Sequence, residues 1–220
     1  FEGEHKKEIG ELWTRSLLKS ATLIYPLVLF FMFYAKEIFV LLYGIDYEES
    51  GNYFIIFSLI TFFKVIVFAP LVLGLGLTKF YSRIHFIEFI SIWVLGYFAI
   101  IFFESPYAIL AIFVLLTIVK IIFSLWYISK KLKLKFFDML PVFKLFKYAM
   151  HGSVILVVIR FLFVENFQIE NKFLLVALSF VVYYIFLLGS SKWLKIDYLE
   201  ALRPFLNKLP IIKSIFKKLK

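Results

Sequence analysis

The sequence predicts an all-α integral membrane protein with six transmembrane helices. Three observations lead there. Apolar residues make up 63% of the 220 and the mean hydropathy is +0.93, whereas globular domains hold about 45–50%, so the excess must face lipid. The apolar residues gather into six stretches close to the ~17–25 residues that a bilayer crossing requires. No stretch alternates polar and apolar with a period of two, as a barrel strand would, and backbone groups in lipid must be bonded within their own segment, which makes these stretches helices.

In chain order, residues 1–16 form a charged amphipathic segment. It has neither the basic start nor the short apolar core of a signal peptide. It opens on Phe1, and the stretch reads as part of a longer protein. The first span is 17–34, continued along the interface by "AKEIFVLLYG" to Gly44, with Lys36 and Glu37 marking the exit from hydrocarbon. "GIDYEES" is a solvated turn in which Ser50 or Asn52 is expected to cap the next helix. The second span, 53–77, carries Pro70, and the first carries Pro26; each proline predicts a kink. Gly74 and Gly76 should loosen the end of the second span. Spans at 84–103 and 107–128 follow, then a basic loop at 129–147, spans at 148–164 and 173–189, and a basic amphipathic tail at 190–220. Leu199, Leu202, Leu206 and Leu209 recur at helical spacing in that tail, the pattern of a helix lying in the interface.

The connections sort by charge. Twenty Lys and Arg fall on the side of the N-terminal segment, the 78–83 turn, the 129–147 loop and the tail. Only Lys36 and Lys172 fall on the other, beside Asp46, Glu48, Glu49, Glu104, Glu165 and Glu170. Basic loops stay in the cytoplasm, so both ends are expected there and the acidic loops outside. The formal charge of +10 then belongs to loops lying against anionic lipid rather than to a nucleic-acid surface. There is no cysteine, and His5, His85 and His151 show no metal-ligand spacing. Nucleotide-binding, zinc-protease and serine-hydrolase motifs are absent, and the chain reads as a non-enzyme with no cofactor or metal.

Four charged residues remain inside spans. Lys64 sits in the middle of the second span, 11 residues from Tyr53 and 13 from Leu77, too deep to reach either interface. A lysine there costs about 2.5–3.5 kcal/mol on insertion scales, which points to a cavity or a cationic binding role. Lys120 lies on a stripe with Thr117, Ser124 and Tyr127, one helix face that must meet protein or water. Glu88, with His85 three residues before it, is either a coupling carboxylate or a shallow residue bonded to Arg83 or His85. Arg160, five residues before Glu165, is expected to snorkel to the outer edge.

The stretch "LIYPLVLFFMFYAKEIFVLLYGIDYEESGNYFIIFSLI" resembles the polysaccharide flippases of the multidrug/oligosaccharidyl-lipid/polysaccharide exporter superfamily. Pro26, Ala35, Ile38, Leu42, Gly44, Tyr47 and Ser50 stand at the positions of its proline-bearing helix and "llyG..Y..S" turn. "LVLGLGLTKFYSR" and "AIFVLLTIVKIIFSLWYISKKLKL" resemble the segments that follow, so the likeness covers roughly residues 13–145. The glycine- and alanine-rich helix entry of relatives is reduced here to "ESPYAILAIF", with Ala108 and Ala111. The resemblance implies a two-lobed helical transporter, in which 17–128 supplies four helices of the second lobe, 148–189 an additional C-terminal pair, and a preceding part of the same chain the first lobe. It implies translocation of a polyprenyl-diphosphate-linked oligosaccharide by alternating access, as in O-antigen and other cell-envelope polysaccharide synthesis. Lys64 and Lys120 would meet the diphosphate and Glu88 would couple an ion. Two other readings stay open: a multidrug or organic-cation exporter of the same superfamily, and a non-transporting membrane subunit of a glycan-assembly system.

Overall fold

The computed structural model describes residues 2–196 and 198, with side chains from Lys7 onward. Among these residues there is no strand, and six helical stretches are long and apolar enough to cross a membrane: Lys7–Phe33, Ile45–Gly74, Thr78–Phe103, Pro106–Leu132, Phe136–Asn166 and Lys172–Ser191. Each contains most of one stretch read from the sequence and extends past it on at least one side, where turns of polar residues continue the helix; the second ends at Gly74, short of the expected 77.

Helix α1 (Glu2–Phe33) is continuous, so the charged segment at 1–16 is the first part of the first span's helix rather than a separate element. It also runs unbroken past Pro26. Tyr34 turns the chain into α2 (Ala35–Tyr43), the expected continuation. Gly44, at φ 100°, then reverses the chain, a conformation that a β-carbon would strain. After the single turn Ile45–Tyr47, α3 begins at Glu48 and ends at Lys64. The capping expectation is corrected here: Tyr47 occupies the N-cap position without a side-chain bond, and Ser50 and Asn52 lie inside the helix. Glu48 and Glu49 in the first turn supply the favourable charge instead. Gly51 lets α3 approach α2, since a β-carbon there would meet the Lys36 backbone at 2.8 Å.

The second span breaks. The kink expected at Pro70 is a full interruption at residues 65–68, before α4 (Ala69–Gly74) begins. Pro70 has no N–H to give to Ile66 and its ring crowds that carbonyl, so the helix stops about one turn earlier. The gap is closed by short turns, Ile66 N to Phe63 O at 2.9 Å and Phe68 N to Ile66 O at 2.9 Å. The Tyr25 hydroxyl of α1 donates to the Phe62 carbonyl, released by the same break, at 3.0 Å.

Helices α5 (Thr78–Phe103) and α6 (Pro106–Leu132) form an antiparallel pair. The basic loop is mostly helical: α6 runs to Leu132, α7 is the short Phe136–Met139, and α8 (Val142–Arg160) begins soon after. A π-helical turn, Phe161–Asn166, finishes α8, and α9 (Lys172–Ser191) returns along it. The tail expected to lie in the interface falls outside the described residues apart from its first few positions.

Two apolar clusters hold the bundle. One joins Leu17 and Tyr25 of α1, Ile66 and Phe68 of the break, Leu125 and Ile128 of α6, and Met139 and Leu145 of α7–α8. The other joins Phe30, Tyr34, Leu156, Phe163 and Tyr183 of α1, α8 and α9. Helix α5 packs chiefly on α6 and α4 and leaves most of its length exposed, including Trp93 at 68% and Phe102 at 73%. Contacts also sort the ends. Trp13 Nε1 donates to Met139 O at 3.2 Å, and Lys147 donates to Leu194 O, which gathers the lysine-rich connections at one end. Tyr107 donates to Glu49 Oε1 at 3.1 Å at the other, acidic end.

Candidate functional site

Lys64 is the last residue of α3, about 25 Å along the helix from its acidic-end start at ~1.5 Å per residue. A cation at a helix C-terminus meets the negative end of the backbone dipole, worth about 0.3–1 kcal/mol. The side chain is exposed on the bundle surface. Its ammonium lies 5.7 Å from the centre of the Phe57 ring and pairs with no carboxylate among the described residues. The break thus gives Lys64 two local sources of stabilisation, a helix end and an aromatic face, without neutralising it.

The neighbouring helix places Lys120 at the same level. Helices α3 and α6 both run from the acidic end inward, and two ring stacks fix their register: Tyr53 on Tyr107 at 4.4 Å, and Phe57 on Phe113 at 6.2 Å with planes 1° apart. Lys64 follows Phe57 by two helical turns, and Lys120 follows Phe113 by the same interval. Both lysines therefore lie along the stacked faces, two turns below the Phe57–Phe113 contact.

Lys120 and Glu88 meet. The Lys120 ammonium donates to Glu88 Oε2 at 2.7 Å, and each side chain is 12% exposed. His85 Nδ1 lies 3.6 Å from the same carboxylate oxygen. Of the alternatives for Glu88, the structure supports the neighbour His85 but not Arg83, and it adds a partner on α6 that no local pattern signals. Glu88 is also deeper than a surface residue, ten positions along α5 from its start at Thr78. The stripe on α6 does face protein: Thr117 is 6% exposed and Ser124 0%, and Tyr127 stacks on Phe80 of α5 at 4.0 Å. His85 also connects the pair to the break, with its ring 6.4 Å from that of Phe68 and 4.5 Å from that of Tyr81. An ammonium, a carboxylate and an imidazole thus sit together beside an interrupted span, with the unneutralised Lys64 at their level.

Arg160 does not reach toward Glu165. Its guanidinium donates to Glu37 Oε1 at 2.8 Å and to the Phe33 carbonyl at 2.8 Å, over the Tyr34 ring at 5.5 Å. It satisfies the C-terminus of α1 and ties α8 to the start of α2, a structural tie that replaces the expected snorkelling. His151 likewise has a bonded role: its ring nitrogens meet Ser190 Oγ at 2.8 Å and Tyr198 OH at 3.1 Å, and the Ser190 hydroxyl donates to Phe186 O at 2.5 Å.

Comparison with protein-family models, with curated proteins and with solved structures returns no match for this chain.

Proposed function

We propose that this chain forms part of a transporter that carries a polyprenyl-diphosphate-linked oligosaccharide across the cytoplasmic membrane, its lysine-rich end in the cytoplasm. The observation that carries the reading is Lys64: an exposed ammonium at the end of a half-helix, inside the Ile45–Gly74 span, with no carboxylate partner among the described residues. A diphosphate leaving water requires a cation at such a depth, and broken helices with polar ends are a recurrent way of building substrate sites in transporters. In this reading the diphosphate meets Lys64 first. Lys120 is held by Glu88 and joins only when that pair opens. Protonation of Glu88, or a cation drawn to its carboxylate, opens the pair, and Glu88 thereby couples an ion to substrate capture. The sugar crosses in the polar space between this bundle and the first lobe, while the prenyl tail stays in lipid. A cation-exporter reading would need a free deep acid, and Glu88 is engaged by Lys120.

The test is export measured at matched protein level, with the polyprenyl-diphosphate oligosaccharide followed to the outer leaflet. Lys64→Gln loses export although it inserts at least as well as wild type, because an insertion cost is removed. Lys64→Arg keeps part of it, since charge is preserved while geometry changes. Lys64→Glu is worst. Normal export by both Lys64→Gln and Lys64→Glu at wild-type abundance overturns the assignment.

A further inference from the structure

A second cluster of cations lies at the lysine-rich end. A cavity of about 510 Å³ opens there between α1, α7 and the start of α8. Lys7, Gly10, Glu11, Thr14, Arg15 and Leu18 line it from α1, at the alternating three- and one-residue steps of a single helix face. Lys144 faces them from α8. The wall is built rather than adventitious. Thr14 Oγ1 donates to Asp138 O at 3.0 Å and Trp13 Nε1 to Met139 O at 3.2 Å, which pins α7 against α1. Glu11 and Asp138 also line the cavity, yet no ion pair forms between either of them and Lys7, Arg15 or Lys144 among the described residues. Three ammonium or guanidinium groups thus converge on one opening without being neutralised by direct contact.

On the other side of α7 lies an apolar groove of about 440 Å³. Phe62, Phe63 and Ile66 from the break, and Phe136, Leu145 and Phe146 from α7–α8, form its sides. Its lining joins the α7 turn to the interrupted span, and Phe137 and Phe143, each next in sequence to a lining residue, are 71% and 89% exposed. A soluble anion uses the first cavity and has no use for the second. A membrane lipid uses both: a phosphate for the cations and a hydrocarbon chain for the groove. Basic pockets between membrane helices on the cytoplasmic side are the setting in which anionic head groups are held.

We propose that this cleft binds one anionic glycerophospholipid of the leaflet at the lysine-rich end, its phosphate among Lys7, Arg15 and Lys144 and one acyl chain in the groove beyond α7. The inference is independent of the transport reading, because it uses neither Lys64 nor the Glu88–Lys120 pair. Bound lipid would tie α1, α7 and α8 together at the interface and fix how the α3–α4 break is covered.

The experiment uses the full chain purified with dioleoyl-phosphatidylglycerol and dioleoyl-phosphatidylcholine in equal amounts, with retained lipid counted by native mass spectrometry. Phosphatidylglycerol is expected to be retained in preference, one per chain. A cation near such a head group contributes about fivefold, so the triple variant Lys7→Gln, Arg15→Gln, Lys144→Gln should weaken retention on the order of 100-fold. A control triple at the same end, Lys79→Gln, Lys131→Gln, Lys133→Gln, should leave it unchanged. Both triples alter exposed side chains, and an unchanged melting temperature confirms that they fold. Equal retention of the two lipids, or equal loss in both triples, overturns the site. Displacement by inorganic pyrophosphate alone shows a soluble-phosphate site and overturns the lipid assignment. Retention of dihexanoyl-phosphatidylglycerol as strong as that of the dioleoyl lipid removes the groove from the proposal.

Discussion

Neutralising one member of the Glu88–Lys120 pair should destabilise the protein more than neutralising both. The two side chains are 2.7 Å apart and 12% exposed, so water screens them poorly. At an effective dielectric of about 20, unit charges at that distance attract by about 6 kcal/mol before desolvation is subtracted. Desolvation consumes much of this, which is why replacing a whole buried pair is often close to neutral, whereas deleting one partner costs about 3–5 kcal/mol. The two single variants differ in what remains. In Lys120→Gln the carboxylate still has His85 at 3.6 Å. In Glu88→Gln the ammonium keeps a neutral carbonyl as acceptor, and its loss falls toward the lower end of the range. Each single variant should therefore lose about 3 kcal/mol, the double variant under about 1, and the cycle should show a coupling of several kcal/mol. For a chain of this size a kcal/mol corresponds to about 2–4 °C, so the singles should melt at least ~6 °C lower. The assay is reversible unfolding of all four proteins in one detergent, followed by far-ultraviolet circular dichroism. Additive losses, or singles within ~1 kcal/mol of wild type, would refute the claim that the pair holds α5 to α6.

Three further outcomes follow from contacts on the other helices. Tyr25→Phe removes the hydroxyl that covers the Phe62 carbonyl at the break and should lower stability by about 1–3 kcal/mol, measured by the same unfolding assay. Gly152→Ala places a β-carbon 2.7 Å from the Tyr183 hydroxyl and 2.9 Å from Leu29 Cδ1, and should cost about 1–3 kcal/mol; Tyr183→Phe in the same chain should recover part of that loss, and no recovery would show that Leu29 is the obstacle. Cysteines introduced singly into the native cysteine-free chain at Glu48 and Lys133 should react from opposite sides of the membrane with an impermeant reagent, Glu48 from outside, and the reverse pattern would invert the orientation.

How much of this was legible beforehand depended on whether the signal was local. Six helical stretches follow from the length and continuity of apolar runs. The stripe at Thr117, Lys120, Ser124 and Tyr127 was readable because steps of three and four define a helix face without knowledge of the neighbour. The turn at Gly44 was readable for a similar reason, since the residue itself permits the conformation found. The interruption at 65–68 was only half legible. Pro70 announced a disturbance, but apart from Lys64 and Pro70 itself the run "FFKVIVFAP" is apolar throughout, and the hydroxyl that makes an early stop tolerable comes from Tyr25 on another helix. The ion pairs were not legible at all: Glu88 and Lys120 are 32 positions apart and Glu37 and Arg160 are 123 apart, and a charge in a span does not disclose its partner. Arg160 was expected to snorkel near Glu165, and Glu88 either to couple an ion or to bond Arg83 or His85; of the contacts found, only His85, three residues away, was within reach of a local pattern.

The interruption after Lys64 also has a mechanical meaning. An unbroken helix behaves as a stiff rod, so tilting one end carries the other and bending it means breaking backbone bonds. The second span is instead two short rods, α3 and α4, meeting at a joint whose released Phe62 carbonyl is already covered from α1. The acidic-end half is locked to α6 by its two stacked ring pairs, while the lysine-rich half is held by its own side chains in the apolar cluster, and Lys64 is the last helical residue before the joint between them.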